Sequence, residues 1–236
     1  MFTASLSYLR NTEGWERTAV IGGLLGAFSF LVIPAFAATG YLLRVLRETM
    51  RGDDEGAPAF DDWEAMTVDG LKAAVIGLAY AFLPSALFAV AATAGVAGLL
   101  SGSDAGAVTG GLVLIASTLV AAVLALASAY VLPAAILNYA DKGRIGAGFA
   151  AGEVGAMLVS REYATAFGYA LVLGIAVGLA GGVLNAVPVL GYVATAFVAF
   201  YAAVASAWIF GTAYAEMYPV DVTAGSDGAP DERVVV

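Results

Sequence analysis

Three long stretches of this chain carry no charge at all: residues 73–103, 105–140 and 163–215 contain no Asp, Glu, Lys or Arg. A bilayer core is about 30 Å thick and is crossed by about 20 predominantly apolar residues in a helix. Runs of this length and character read as transmembrane helices rather than as the core of a soluble domain. Charged residues make up only 12% of the chain, about half of the roughly 25% usual in soluble domains. The fold class expected is therefore all-α: a polytopic transmembrane helix bundle of about five spans with amphipathic interfacial helices.

The spans are expected at about 19–43, 73–100, 105–132, 164–184 and 189–217, within a transmembrane domain covering 19–217. Residues 1–18 read as an interfacial segment in which Phe2, Leu6, Tyr8, Leu9 and Trp15 anchor at headgroup depth. Glu13 and Glu16 lie among Arg10 and Arg17, which is not the order of a cleavable signal, so the first span is expected to act as a signal-anchor. Residues 218–236 are expected to be a disordered acidic tail. Pro84 should kink the second span, with a neighbouring helix satisfying the carbonyl it frees. Pro133 is expected to end the third.

The first span has two readings. Residues 19–43 form either one span or a hairpin bent at Pro34. The single span is preferred, because two helices of roughly twelve residues cannot each cross about 30 Å. A weak internal repeat is also visible: Ile33-Pro34, Gly40-Tyr41 and Arg44 match Leu132-Pro133, Asn138-Tyr139 and Lys142 with Arg144.

Orientation follows from the cations. The connections 44–72 and 138–161 hold seven of the ten Lys and Arg residues, whereas the turns 101–104 and 185–188 hold none. By the positive-inside rule the charged connections face the cytoplasm of a cell-membrane protein. A single first span puts the N-terminus outside, against the sense of Arg10 and Arg17. A hairpin puts both ends inside with every Lys and Arg.

Much chemistry is excluded. With no cysteine and no histidine, thiolate, Cys/His-metal and histidine general-base chemistry are ruled out. No nucleophile-elbow, zincin or phosphate-loop motif occurs. No ionisable residue sits at mid-span, which argues against ion-coupled transport. Asp53, Asp54, Glu55, Asp61 and Asp62 lack calcium-loop spacing. No enzymatic activity, cofactor or metal is expected.

The expected contacts are with the bilayer. Arg44, Arg47 and Arg51 recur at helical spacing and suit anionic lipid headgroups. Phe60 to Lys72 is expected to form a short surface helix, with Trp63 at headgroup depth and Asp61 capping its start. These five, Arg44, Arg47, Arg51, Asp61 and Trp63, form the expected lipid or partner surface. Gly174, Gly178 and Gly182, with a shorter Gly22/Gly26 pair, make small-residue stripes suited to close helix packing. The partner helix belongs to this chain, to a second copy or to another membrane protein. A net charge of −9 gives no attraction for nucleic acid, and lysine occurs only at Lys72 and Lys142. An acidic, lysine-poor surface fits a salt-rich cytoplasm, although acidic loops on an ordinary membrane protein would look the same.

Three segments resemble one prokaryotic family. They are Ile21-Gly22-Gly23-Leu24-Leu25, then Gly40-Tyr41-Leu42-Leu43-Arg44-Val45-Leu46-Arg47, and Pro58-Ala59-Phe60-Asp61-Asp62-Trp63 running to Asp69-Gly70-Leu71-Lys72. In order and spacing the first 80 or so residues are similar to the membrane family known as domain of unknown function 4013, abundant in haloarchaea. The resemblance implies a multi-span protein of a halophile and carries over no activity, substrate or site residue. Two functions are therefore expected: a non-enzymatic membrane scaffold or interaction protein, or an uncoupled permease or channel for a small solute.

Overall fold

The computed structural model describes residues 2–53 and 56–219 and contains eight α-helices: α1 Phe2–Tyr8, α2 Trp15–Ala27, α3 Ile33–Met50, α4 Trp63–Leu99, α5 Asp104–Lys142, α6 Ala151–Leu158, α7 Arg161–Leu184 and α8 Leu190–Met217. The expected tail lies, after Pro219, outside the described residues. Among those described, four helices are long and apolar enough to cross a membrane: α4, α5, α7 and α8.

The first expected span is not one helix. It breaks into α2 and α3 around a 3-10 turn at Ser29–Leu31. Val32 adopts φ 67°, a left-handed conformation costly for a β-branched residue, and Pro34 sits in the first turn of α3, where its missing N–H is not needed. The hairpin is tied at its tip by the Tyr192 hydroxyl, which donates to the Ala27 carbonyl at 2.8 Å. At its open end, Tyr8 donates to Gly56 O at 2.9 Å and Ala57 N to Thr12 Oγ1 at 2.7 Å. The N-terminal segment thus shares one face with the 51–62 connection, as only the hairpin reading allows.

Close approaches between helices fix this arrangement. A Cβ on Gly40 would overlap the Met66 carbonyl, and one on Gly70 would overlap the Phe36 carbonyl, so α3 and α4 meet backbone to backbone. Gly22 and Gly23 receive the rings of Phe200 and Phe197, which packs α2 on α8.

Helices α4 and α5 form an antiparallel arm joined at 100–103, where Ser103 Oγ accepts from Gly106 N at 3.1 Å and caps α5. With 37 and 39 residues, they extend about 55–60 Å, well beyond one bilayer core. Pro84 lies inside α4 and leaves the Tyr80 carbonyl without its helical donor. Ser128 Oγ of α5 supplies one at 3.3 Å, as the sequence predicted. Pro133 does not end the third span. Helix α5 runs through it to Lys142, and Tyr163 of α7 donates to the nearby Tyr130 carbonyl. Helices α7 and α8 make a second arm, joined at 185–189 through another left-handed valine, Val189.

All three tips, 28–32, 100–103 and 185–189, lie at the end opposite the cations. They carry no cation; Phe30 is 67% exposed and Leu100 79%, with Ser101 and Ser103 beside Leu100. The described Lys and Arg gather at the other end, a base built from the end of α3, the start of α4, the end of α5, α6, the start of α7 and the end of α8. There Tyr41, Tyr139, Tyr163, Leu137 and Ile209 are fully buried.

Candidate functional site

The base is held together chiefly by tyrosines. Their hydroxyls bridge the apolar helices to carbonyls of the polar connections. Tyr41 donates to Pro58 O at 3.0 Å, Tyr80 to Gly148 O at 2.8 Å and Tyr130 to Leu158 O at 2.8 Å. Tyr201 donates to Leu6 O. Each rests its ring on apolar neighbours while its hydroxyl pairs; the Tyr80 ring, for example, stacks on Phe149 with centroids 5.6 Å apart.

Charged groups form a second, smaller network. Arg47 bonds to Asp69, donates from Nε to Ala140 O at 3.2 Å, and lies 5.8 Å from the Tyr139 ring centroid. Asp69 also accepts from the Tyr139 hydroxyl at 3.2 Å and from Lys72 at 3.4 Å. Arg44 pairs with Asp61 and donates to Ala59 O at 3.2 Å. Three of the five expected surface residues, Arg44, Arg47 and Asp61, are therefore engaged within the chain. Arg51 and Trp63 remain exposed.

Helix α4 is capped by Asp62, not Asp61: Asp62 Oδ1 accepts from Ala65 N at 3.2 Å. Asp61, one residue earlier, is drawn to Arg44 instead. The expected surface helix is the first part of α4 itself, uninterrupted into the span, with Met66 and Gly70 buried against α3. Trp63 stacks on Phe60 at 5.5 Å, and Phe60 stacks on Tyr41 at 4.0 Å. The segment is thus part of the packed bundle rather than a separate helix along the surface.

A cavity of about 360 Å³ opens in the base between α3, α5, α6 and α8. Arg47, Arg51, Lys142, Asp141 and Glu153 supply its charges, with Asn138, Tyr214 and Tyr218 between them. Asn138 is buried, and its Nδ2 donates at 2.8 Å to both Ala147 O and Glu153 Oε2, which fixes α6 against α5. A second cavity of about 290 Å³, lined almost wholly by aliphatic and aromatic side chains of α3, α4, α5 and α8, lies where the arms diverge. Among the described residues, no group of three or more carboxylates converges to hold a metal ion. Asp54 and Glu55 of the acidic linker lie outside those residues.

The glycine stripe of α7 faces open space among the described residues: a Cβ on Gly174, Gly178 or Gly182 would have no neighbour within 4 Å. Internal α7–α8 packing uses Gly181 instead, facing Thr195. Of the shorter pair, Gly22 meets Phe200 as expected of a packing position. Sequence reasoning missed Gly40 and Gly70, which do not form a spaced pair within one helix. It also missed the cavity-lining set on α8, although Phe210, Tyr214 and Tyr218 recur at helical spacing.

Residues 27–186 match the family described as protein of unknown function (DUF4013), and the chain belongs to that family. The match reaches well past the first 80 residues, into the end of α7. No curated protein and no solved structure matches the chain.

Proposed function

We propose that this DUF4013 member is a non-enzymatic scaffold or interaction protein of a halophile's cell membrane, with its base in the cytoplasm. The observation that carries the reading is the one-sidedness of the molecule. Cations and polar cavity gather at one end, while three tips without a cation lie at the other. The positive-inside rule assigns the cationic end to the cytoplasm, and the hairpin adds Arg10 and Arg17 to it. The outward stripe Gly174, Gly178, Gly182 is the face offered to a second copy or another membrane protein. Arg51 and Trp63 are the outward groups for lipid headgroups or a soluble partner.

The permease reading is less well supported. The polar cavity gives way to apolar lining at Leu46, Leu137 and Phe210, which does not favour passage of a hydrated solute there.

Two measurements test the reading. Single cysteines at Gly56 and Gly143, in a chain with none of its own, should resist an impermeant thiol reagent in intact cells, while one at Ser103 should react. Reaction at Gly56 or Gly143 would reverse the orientation. Liposomes reconstituted with the protein should retain small solutes as empty liposomes do; protein-dependent leakage would favour the permease.

A further inference from the structure

The two cavities share one seam. On α3, Leu42, Leu43 and Leu46 line the apolar cavity, and Arg47, Met50 and Arg51 continue the same helical face into the polar one. On α5, Pro133, Ile136 and Leu137 give way to Asn138, Asp141 and Lys142. On α8, Ala203, Ala207 and Phe210 give way to Tyr214 and, just past the helix end, Tyr218. Residues three and four apart share a helix face, so all three helices switch from apolar to polar at one level. That level is where the membrane-embedded arms meet the charged base.

We propose that this seam binds one membrane lipid whose headgroup carries a phosphate and free hydroxyls. Its chain occupies the apolar cavity, which is reached from the bilayer past the half-buried Thr39, Ala74 and Gly77. Its headgroup occupies the polar cavity. Charge complementarity selects the headgroup. Arg51 and Lys142 are exposed cations at that cavity, Lys142 sharing its charge with the neighbouring Asp141 at 3.5 Å, and both suit phosphate oxygens. Arg47 is held back by Asp69. Asp141 and Glu153 would repel a bare dianion but accept hydrogen bonds from hydroxyls; Glu153 Oε2 already accepts from Asn138 Nδ2. A quaternary amine headgroup offers those carboxylates no hydrogen-bond donor.

The proposal goes beyond the scaffold reading, and liposome leakage bears only on that reading. Delipidated full-length protein in detergent is titrated with dioleoyl phosphatidylglycerol, with dioleoyl phosphatidylcholine and with chain-free glycerol phosphate. Native mass spectrometry counts the lipid retained, and the melting midpoint reports stabilisation. One phosphatidylglycerol per chain is expected, bound about tenfold more tightly than phosphatidylcholine, with glycerol phosphate inert. The double variant Arg51→Gln/Lys142→Gln, altered only at exposed positions, should erase the preference. Ala207→Phe should reduce retention of both lipids by filling the apolar end; Ala74→Leu serves the same purpose from α4 if Ala207→Phe does not fold. Equal retention of the two lipids by the native chain, an undiminished preference in the double variant, or stabilisation by glycerol phosphate alone would each overturn the proposal.

Discussion

The base and the arms obey different rules. In the base, side chains are buried against one another and polar atoms find partners across distant parts of the chain, as when Asn138 joins α5 to α6. In the arms, residues such as Leu78, Phe82, Leu119 and Leu126 turn outward and are more than half exposed. There the contact between α4 and α5 near the tip is a close approach: Gly98 and Gly110 meet backbone to backbone, and Gly95 receives the Leu114 side chain. Lipid is as apolar as leucine, so burial of leucine between arms gains little, and close backbone approach does more. Substitutions should therefore be severe in the base and tolerated on outward faces of the arms.

The largest effect tests that contrast most directly. Gly40→Leu or Gly70→Leu would force α3 from α4 and should cost about 3 kcal/mol or more, read as loss of the melting transition in detergent. Gly178→Leu, on an open face, should leave the melting midpoint unchanged while lowering the mass of any oligomer in mild detergent. Unchanged mass would return that stripe to lipid. A melting loss at Gly178 equal to that at Gly40 would end the distinction between the regions.

Asn138→Ala ranks next. It strips a donor from Ala147 O and Glu153 and should cost about 2 kcal/mol, with faster hydrogen exchange along α6 as the local sign. In the arm, Ser128→Ala leaves the Tyr80 carbonyl beside Pro84 without its donor and should cost about 0.6 kcal/mol. If Ser128 mattered more than Asn138, the arms would be the more tightly specified region.

The smallest effect concerns pH. Burial, then the nearby charge of Asp53, pushes the Glu48 carboxyl above its ordinary 4.5, against the pull of Arg44 and Arg51. The folded state thus binds this proton more tightly than the unfolded state does. The stabilisation is fully present below 4.5 and is lost as pH rises through the folded value. Acidifying from neutrality towards 4.5 should raise the melting midpoint of the native chain slightly more than that of Glu48→Gln. An equal or smaller rise would remove Glu48 as the cause.

Charge segregation made the four crossing helices and the cationic end legible from sequence, because the bilayer penalises charge at every residue of a span. The break at 28–32 was far less visible. Phe28, Phe30, Leu31 and Val32 are as apolar as any span, and only Pro34 marks the turn. Pro133 misled in the opposite sense: α5 continues through it to Lys142. The α7 stripe showed that small residues permit close packing without saying what packs there. Arg44 and Arg47 were legible as cations of the 44–72 connection, but their partners Asp61 and Asp69 emerge only once α3 and α4 lie side by side. The cavity seam needed three helices in register, which no single periodicity contains.

The tyrosine ties have a consequence for how the base responds to dissolved ions. At 1 M salt the Debye length falls to about 3 Å, and a partly exposed pair such as Arg44–Asp61 is weakened. A hydroxyl on a carbonyl carries no net charge to be screened. Tyr8 on Gly56, Tyr41 on Pro58, Tyr80 on Gly148 and Tyr130 on Leu158 are therefore fastenings that brine leaves as tight as dilute buffer does.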